Sequence, residues 1–337
     1  MAMAPREPEP QTAEERLIAR YFRPLAKHPG AFGLIDDAAV LTPPAGTEIV
    51  LTTDAIVGSV HFFADDPADM VARKALRVNL SDLAAKGAKP AGFLMSLALP
   101  NAIDERWLDA FARGLGADAE AYGCPLLGGD SVRIPGPVAV SITAFGTLPQ
   151  GTLVRRSGAR PGERVVVTGT IGDAALGLLL RHDSSAAARW KLAAREQEHL
   201  VDRYRLPQPR NAVAEAVRLH ASAAMDVSDG LVGDLGKLCA ASGVGAEIKA
   251  DRVPLSEAAR RAVAAEPTLL ETALTGGDDY EIVCTVATDK LASFRAAVAP
   301  AGVAFTEIGE ITSGTGAQFL DRNGEPMLFK QTSFSHF

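Results

Sequence analysis

Hydrophobic and polar positions in the first half of the chain follow two periods, one helical and one extended. Thr12 and Glu15 form a candidate capping box, and the apolar side chains after them recur at helical spacing, which predicts a helix ending near Lys27. The β-branched run over residues 48–53 predicts a buried strand that ends at Asp54. We expect the remaining elements of this half to be a helix over 67–86, strands over 92–99 and 138–146, and a helix over 105–122.

A segment rich in Gly, Pro and Arg, residues 147–162, interrupts these patterns and predicts a domain boundary. We expect a disordered tail over residues 1–12, an N-terminal domain over 13–150 and a C-terminal domain over 151–337. The alternation of strands and helices predicts an α/β or α+β architecture. The elements expected in the second half are strands over 164–168, 280–286 and 305–311, a short strand leading to Asp226, and helices over 173–181, 186–202 and from Asp229 to about residue 241.

The Gly-rich turn Thr168–Asp173 lies between a predicted strand and a predicted helix. It lacks the Lys-Ser/Thr ending of a Walker motif and the spacing of a dinucleotide fingerprint, so we interpret it as a tight strand-to-helix connection. Two short patterns, around Asp82 and Asp130, recur near Asp229 and Asp278. The recurrence is compatible with a duplicated half, but short matches among common turn residues also arise by chance, and chance is the favoured explanation.

Composition excludes several classes of protein. The chain has 337 residues with a formal net charge of −7, 47% hydrophobic and 22% charged residues, which is typical of a globular protein. The acidic balance argues against a general nucleic-acid binder, and the longest apolar runs fall short of the roughly 20 residues that span a bilayer. Cys124, Cys239 and Cys284 lie too far apart for a metal-ligand spacing or a disulfide framework, which favours a cytoplasmic protein with buried thiols.

Acidic residues stand at the ends of apolar segments, where open α/β sheets place ligands. Any single Asp at such a position also fits a helix cap or a turn. As a set, and with hydroxyl residues beside them, they offer the hard oxygen ligands that Mg²⁺ prefers, so metal-assisted phosphate chemistry is the leading hypothesis. The acidic positions are Asp36, Asp37, Asp54, Asp82, Asp130, Asp226 and Asp229.

In their order along the chain, the motifs that contain these acids resemble those of the thiamine-monophosphate kinases, a family within the aminoimidazole ribonucleotide synthetase-like ATP-binding superfamily. The resemblance implies a two-domain α/β (α+β) fold with helices packed on mixed sheets. It further implies a Mg²⁺-dependent homodimer that transfers the ATP γ-phosphoryl group to thiamine monophosphate, giving thiamine diphosphate. The motifs are Asp36-Asp-Ala-Ala-Val, Thr52-Thr-Asp54, His61-Phe, Asn79-Leu-Ser-Asp-Leu-Ala-Ala, Gly128-Gly-Asp130, Arg155-Arg-Ser-Gly, Asp226-Val-Ser-Asp-Gly-Leu and Gly277-Asp-Asp-Tyr-Glu.

The same resemblance implies roles for individual residues. Direct in-line transfer to an ionised phosphate needs positioning and charge neutralisation, so no single general base is assigned. The implied ligands of several Mg²⁺ ions are Asp37, Thr52, Thr53, Asp54, Asp82, Asp130, Asp226 and Asp229. The implied contacts of the co-substrate ATP are Gly129, Asp130, Arg156 and Ser228, and those of thiamine monophosphate are His61, Asp278 and Phe334.

Other interpretations remain open at the level of sequence. His61 also fits a half-buried histidine without a ligand, and Arg156 fits a solvated turn residue. Lys74 and Lys86 lie at helical spacing from Asp82 and are expected to form exposed ion pairs without a functional role. The alternative functions are another ATP-using synthetase of the same superfamily and a non-catalytic nucleotide or Mg²⁺ sensor.

Overall fold

The computed structural model describes residues 12–334, so the predicted tail lies outside the described residues except for Thr12. The capping box is present: the Thr12 hydroxyl accepts the Glu15 amide (3.1 Å) and the Glu15 carboxylate accepts the Thr12 amide (2.9 Å). The helices and strands up to residue 150 are α1 (Ala13–Leu17), β1 (Thr47–Val57), α2 (Ala68–Ala85), β2 (Lys89–Pro100), α3 (Glu105–Ala121), β3 (Leu126–Ile134) and β4 (Ala139–Pro149).

The first helix is shorter than predicted. Regular α-helix ends at Leu17, and the chain continues through a π-helical turn (Ile18–Phe22) and a 3₁₀ turn (Arg23–Leu25). Pro24 has no amide hydrogen to donate, so an α-helical ladder would lose a bond there. Helical periodicity in the side chains therefore continues farther than the α-helix itself.

Strands β1 to β4 form one sheet in the order β1-β4-β2-β3, in which β2 and β3 are parallel with a register shift between Phe93 and Leu94. The prediction that β1 is buried and ends at Asp54 was wrong, because the strand continues to Val57 and Leu51 is 63% exposed. As an edge strand, β1 has a neighbour on one side only, which leaves much of its length accessible to solvent.

Elements beyond residue 150 build a larger mixed sheet. Its strand order is β10-β7-β9-β5-β8-β6, with β10 and β7 parallel and the other pairs antiparallel. The strands are β5 (Arg164–Thr168), β6 (Ala221–Val227), β7 (Gly245–Lys249), β8 (Glu281–Val286), β9 (Phe305–Thr312) and β10 (Gly316–Leu320). The helices are α4 (Asp173–His182), α5 (Ala186–Arg189), α6 (Ala194–Arg205), α7 (Ala214–His220), α8 (Leu231–Ser242), α9 (Glu257–Ala265), α10 (Leu269–Thr275) and α11 (Leu291–Val298).

Both faces of the larger sheet are covered, as the central strand β5 illustrates. Val165 and Val167 pack with Leu231 and Leu235 of α8 in one apolar core, whereas Val166 belongs to a second core on the opposite face. A strand buried on both faces reads as a continuous apolar run, which is why β5 was predictable.

Two local outcomes concern the surroundings of α4. The helix predicted over 186–202 is two helices, α5 and α6, separated by a turn in which Lys191 has a φ of +57°. The turn Thr168–Asp173 is the expected tight connection: Gly172 precedes α4 with a φ of +87°, and a Cβ there would lie 2.3 Å from the Cβ of Ala273. Glycine is therefore required at this position.

Contacts between Cα atoms divide the chain into two compact units, neither of which is a continuous stretch. The domain boundary predicted between residues 150 and 151 stays a prediction. Within residues 12–334, no helix is long and apolar enough to cross a membrane. The first unit comprises the described residues up to Pro43, Thr53–Leu76 and Ala91–Phe145, and the second comprises Pro44–Thr52, Arg77–Pro90 and the described residues from Gly146 onward.

Candidate active site

The C-terminal turns of α2 carry the first group of polar side chains, all of them in the second unit. Ser81 is buried, and its hydroxyl donates a hydrogen bond to Asp226 at the end of β6 (2.8 Å). The Thr52 hydroxyl donates to Asp82 (2.5 Å). The neighbouring helix residues Ser81 and Asp82 therefore place two carboxylates near one another: that of Asp82 itself, and that of Asp226, which Ser81 binds. We call Thr52, Ser81, Asp82, Lys86 and Asp226 the α2–β6 group.

Lys86 is the cation of the α2–β6 group. Its Nζ donates to the Ala224 carbonyl oxygen (2.6 Å), two residues before Asp226. The pKa of Lys86 is lowered to about 8, chiefly by burial and also by the positive charge of Arg156, whereas the carboxylates of Asp226 and Asp82 oppose the shift. The ammonium group therefore lies in the field of both acids, where a negatively charged ligand would stabilise its charge.

A second group of the same unit surrounds the start of α8. Asp234 is fully buried and accepts the backbone amides of Ser228 (3.0 Å) and Asp229 (2.9 Å), and Lys237 donates to Asp229 (2.5 Å) and Asp234 (2.8 Å). Burial raises the pKa of Asp234, although its bond to Lys237 opposes the shift. Burial lowers the pKa of Lys237, but its two carboxylate partners outweigh this effect and the net shift is upward.

Backbone hydrogen bonds join four predicted site residues of this unit in two pairs. The amide of Asp278 donates to the Ser228 carbonyl oxygen (2.8 Å), and the amide of Phe334 donates to the Asp229 carbonyl oxygen (2.9 Å). Phe334 is 49% exposed. Arg156 is also exposed, and its carbonyl oxygen accepts the Ser242 hydroxyl (2.8 Å).

The first unit contains a cavity of about 700 Å³, and predicted ligands line it. Asp36, Asp37 and Asp130 are exposed at its wall; Asp36 accepts the Asp37 amide (2.9 Å) and Asp130 accepts the Ser131 amide (2.8 Å). Gly129 also lines the cavity. We call this feature the Asp37–Asp130 cavity. Its apolar walls include Phe22, Leu34, Leu94, Leu127 and Phe145.

Gly129 is required by the backbone of the cavity. It has a φ of +155°, and a Cβ at this position would lie 1.9 Å from the Met95 carbonyl oxygen on the neighbouring strand β2. Real Cβ atoms do not approach backbone oxygens so closely. The absence of a side chain lets β3 pass close to β2 beside Asp130.

Three further predicted residues belong to the first unit. The Thr53 hydroxyl donates to the Ile142 carbonyl oxygen (3.1 Å), and Asp54 is exposed within β1. The Nδ1 atom of His61 accepts the Val57 amide (3.0 Å). In a neutral ring this bond puts the proton on Nε2, which then acts as a donor.

Comparisons with known proteins identify the family. Family models described as AIR synthase related protein, N-terminal domain and C-terminal domain, match residues 35–148 and 160–321. Thiamine-monophosphate kinase of Caulobacter vibrioides is 45% identical over 303 residues, which cover 89% of this chain and 84% of that protein. The chain belongs to the thiamine-monophosphate kinase family. The family resemblance inferred from the motifs, and with it the two-domain AIR synthetase-like α/β fold, is confirmed.

Solved structures of this kinase family resemble the chain over most of its length. Thiamine-monophosphate kinase from Stenotrophomonas maltophilia K279a has a TM-score of 0.81 and 37% identity, and the match covers 93% of this chain and 96% of that one. AaThiL complexed with AMPPCP and TMP has a TM-score of 0.75 and 30% identity, with 91% and 97% of the two chains covered.

The acids of this kinase-family chain fit Mg²⁺ in one particular manner. Among residues 12–334, no three His, Cys, Asp or Glu side chains are arranged to hold a metal ion by themselves. Mg²⁺ commonly binds through one or two carboxylates, with waters and substrate phosphates completing its coordination. Asp82 and Asp226, each beside a hydroxyl oxygen, supply donors of this kind.

Sequence reasoning missed Lys86, Asp234 and Lys237. Lys86 was expected to be exposed, but it is half-buried and hydrogen-bonded to β6 because the end of α2 packs there. Its i+4 spacing from Asp82 was the available signal. Lys74 was misjudged in the same way: it is 2% exposed and donates to the His61 carbonyl oxygen (3.0 Å).

Proposed function

We propose that the chain is an ATP- and Mg²⁺-dependent kinase that phosphorylates thiamine monophosphate to thiamine diphosphate. Its family membership supports this proposal, as does its likeness to a structure complexed with AMPPCP, an ATP analogue, and TMP. The structural observation that supports it most directly is the hydrogen bond from the Asp278 amide to the Ser228 carbonyl oxygen (2.8 Å). It joins a residue assigned to the acceptor to one assigned to the nucleotide, and these two ligands must meet for the phosphoryl group to pass between them.

The residue roles are part of the proposal and are assigned unit by unit. In the first unit, Gly129 and Asp130 contact ATP, His61 contacts thiamine monophosphate, and the Mg²⁺ ligands are Asp37, Thr53, Asp54 and Asp130. In the second unit, Arg156 and Ser228 contact ATP, Asp278 and Phe334 contact thiamine monophosphate, and the Mg²⁺ ligands are Thr52, Asp82, Asp226 and Asp229.

The transfer we propose is direct and in line. The acceptor phosphate is ionised near neutral pH, so the chain needs to align it and shield its charge, without a strong general base. The Nε2 hydrogen of His61 would orient an acceptor oxygen, and the guanidinium of Arg156 would bind the nucleotide phosphates. The ring of Phe334 would stack on the heterocycle of thiamine. Bound Mg²⁺ would neutralise charge on the phosphate oxygens during transfer.

We also propose a homodimer, in which the β2–β3 face of the smaller sheet is covered by a second copy. Leu94 is 38% exposed and Val132 is 46% exposed. Ala98 pairs with Val132, and Leu94 lies four residues before Ala98, so the three side chains share one face. An apolar sheet face of this kind is typical of subunit contacts. Sedimentation of the purified protein as a dimer, and of Val132→Glu as a monomer, would support the arrangement.

A cytoplasmic location is likewise proposed. Cys124, Cys239 and Cys284 are free and buried, and burial raises the pKa of each thiol, to between about 11 and about 12. Thiols of this kind are inert structural groups and are compatible with a reducing compartment.

The function is tested by incubating the purified protein with ATP, Mg²⁺ and thiamine monophosphate and separating the products by chromatography. We expect equal amounts of ADP and thiamine diphosphate, no product with AMPPCP, and no turnover or nucleotide binding after chelation with EDTA. ATP binding without thiamine diphosphate formation would reject the kinase and leave the nucleotide sensor. ADP formation with a different acceptor would instead indicate another synthetase.

A further inference from the structure

Two consecutive acids before β8 have opposite surroundings. Asp278 is half-buried, whereas Asp279 is 1% exposed. The Oδ2 atom of Asp279 accepts the Gly172 amide (2.8 Å), but its Oδ1 atom is buried without a hydrogen-bond partner. Native proteins seldom bury an unpaired carboxylate oxygen, so the arrangement calls for a physical reason.

The backbone on either side of Asp279 is strained. Asp278 has a φ of +71° and Tyr280 a φ of +51°, a region that bulky L-residues rarely adopt. Their amides donate to the carbonyl oxygens of Ser228 and Val227, each at 2.8 Å. Such a conformation persists only where surrounding contacts fix it, and it is found preferentially at functional sites.

Asp279 supplies the anchor between these two strained residues. Its side chain is held by the Gly172 amide, and its carbonyl oxygen accepts Nη2 of Arg203 (3.1 Å). The same nitrogen donates to Glu281 (3.0 Å), which is fully buried and also accepts the Thr168 hydroxyl (2.7 Å). The inward residues 279 and 281 are thus fixed in the interior, which determines where Asp278 lies.

We propose that Asp279 is a positioning residue, a neutral buried acid whose bond to Gly172 holds Asp278 in the conformation that binds the acceptor. The inference rests on the proposed function in one respect, because it takes Asp278 as a contact of thiamine monophosphate. Asp279 itself touches neither substrate. Its effect reaches the acceptor only through the backbone of residues 278–280.

The burial of Asp279 and the negative charges near it favour the protonated, neutral form of its side chain. Burial raises the pKa of Asp279 well above its usual range; the Gly172 amide and Arg203 oppose the shift, and the negative charges of Asp173 and Glu281 reinforce it. A protonated carboxyl group still accepts one amide through its carbonyl oxygen. The amide side chain of asparagine can do the same at nearly equal volume.

The test compares Asp279→Asn, Asp279→Ala and a matched control, Glu196→Ala. Glu196 is 5% exposed and, like Asp279, accepts a backbone amide before a helix, that of Ala193 (2.7 Å). We expect Asp279→Ala to raise KM for thiamine monophosphate about tenfold, the size of one lost buried hydrogen bond, with KM for ATP unchanged. Asp279→Asn should stay within about twofold of the wild type, and Glu196→Ala should lower stability without changing either KM.

Amide hydrogen exchange gives a second readout that does not depend on the acceptor. We expect the amides of Asp278 and Tyr280 to exchange faster in Asp279→Ala and at the wild-type rate in Glu196→Ala. If the wild type forms no thiamine diphosphate, the proposed function fails, while the exchange rates still decide whether Asp279 fixes this backbone. Unchanged KM and exchange in Asp279→Ala, or a KM in Asp279→Asn as high as in Asp279→Ala, would overturn the inference.

A third measurement covers the case in which Asp279→Ala does not fold. The unfolded state loses the Asp279 proton near pH 4, whereas the folded state keeps it to higher pH, so the wild type should lose stability relative to Asp279→Asn as the pH rises from 4 to 7. A pH-independent difference between these two proteins would reject the neutral acid.

Discussion

The α2–β6 group and the Asp37–Asp130 cavity both contain acids proposed to bind metal or nucleotide. The two regions differ in what donates hydrogen bonds to these carboxylates, a protein side chain in the first, and solvent and a backbone amide in the second. In the α2–β6 group, Asp226 is 4% exposed and has the buried Ser81 hydroxyl as a partner. In the cavity, Asp37 and Asp130 are exposed, and solvent can hydrate them. A buried carboxylate needs internal donors in the absence of any ligand, whereas an exposed one does not. The two regions should therefore respond differently to equivalent substitutions.

The largest difference in stability is expected from the two glycines of the cavity. In Gly129→Ala the new Cβ would lie 1.9 Å from the Met95 carbonyl oxygen, so β3 must move away from β2, at a cost of about 3 kcal/mol or more. Gly128→Ala would bring its Cβ to 3.2 Å from a methyl group of Leu94, whose side chain can rotate. We expect a cost of about 1 kcal/mol or less for this second variant.

Urea denaturation of both glycine variants measures these costs. Equal unfolding free energies for Gly129→Ala and Gly128→Ala would show that the close approach of β3 to β2 is not the constraint on Gly129.

Asparagine substitutions separate the role of the acids in turnover from their role in stability. Asp226→Asn and Asp130→Asn should each lower kcat on the order of 100-fold, because each would remove a charged ligand that holds Mg²⁺ against the phosphates. Only Asp226→Asn should also change the free energy of unfolding, by about 1 kcal/mol, since its partner Ser81 is buried. Rates of thiamine diphosphate formation and urea melts are the measurements. Wild-type rates in both variants would reject the metal assignment.

Removing a serine hydroxyl should have a smaller effect, and it should again destabilise the α2–β6 group more than the Asp37–Asp130 cavity. Ser81→Ala leaves the buried carboxylate of Asp226 without its 2.8 Å donor, and we expect a loss of about 2 kcal/mol. Ser131→Ala should change stability by less than about 0.5 kcal/mol, because Ser131 binds Asp130 through its backbone amide, which alanine retains. If both variants unfold at the wild-type urea concentration, the Ser81 bond contributes nothing to the fold.

The fold was predictable wherever a single period dominates a segment. The apolar run of β5 and the helical spacing of α3 gave elements within two residues of the observed bounds. β3 was missed, because Gly128 and Gly129 lower strand propensity and the close approach to β2 that requires Gly129 is a tertiary feature. The end of α1 and the break between α5 and α6 were missed because side-chain periodicity continues across a change in backbone hydrogen bonding.

The motifs nominate the candidate residues, and these remain predictions, but the motifs do not predict the hydrogen-bond partners of those residues. Ser81 and Asp226 are 145 positions apart, and no local sequence pattern predicts the hydrogen bond between them. The burial of Lys86 depends on the packing of α2 near β6, and that of Asp279 depends on Gly172 and Arg203, more than 70 residues away. Long-range packing therefore decides which polar residues of a motif stay exposed and which are buried against distant partners.

Substitution of Lys86 is expected to have the smallest effect on stability. It also tests the comparison most directly, because no lysine or arginine is among the residues that line the Asp37–Asp130 cavity. The pKa of Lys86 is about 8 in the folded protein against 10.5 for an unperturbed lysine, so between these values the unfolded state binds more protons. Stability must then rise with pH across this window, by about 1 kcal/mol from pH 8 to pH 9. Lys86→Met lacks this titrating group. The free energy of unfolding of the wild type, measured relative to that of Lys86→Met by urea melts, should therefore increase by about 1 kcal/mol from pH 8 to pH 9. A constant difference between wild type and Lys86→Met would mean that Lys86 is solvated, and the α2–β6 group would then be as open to water as the Asp37–Asp130 cavity.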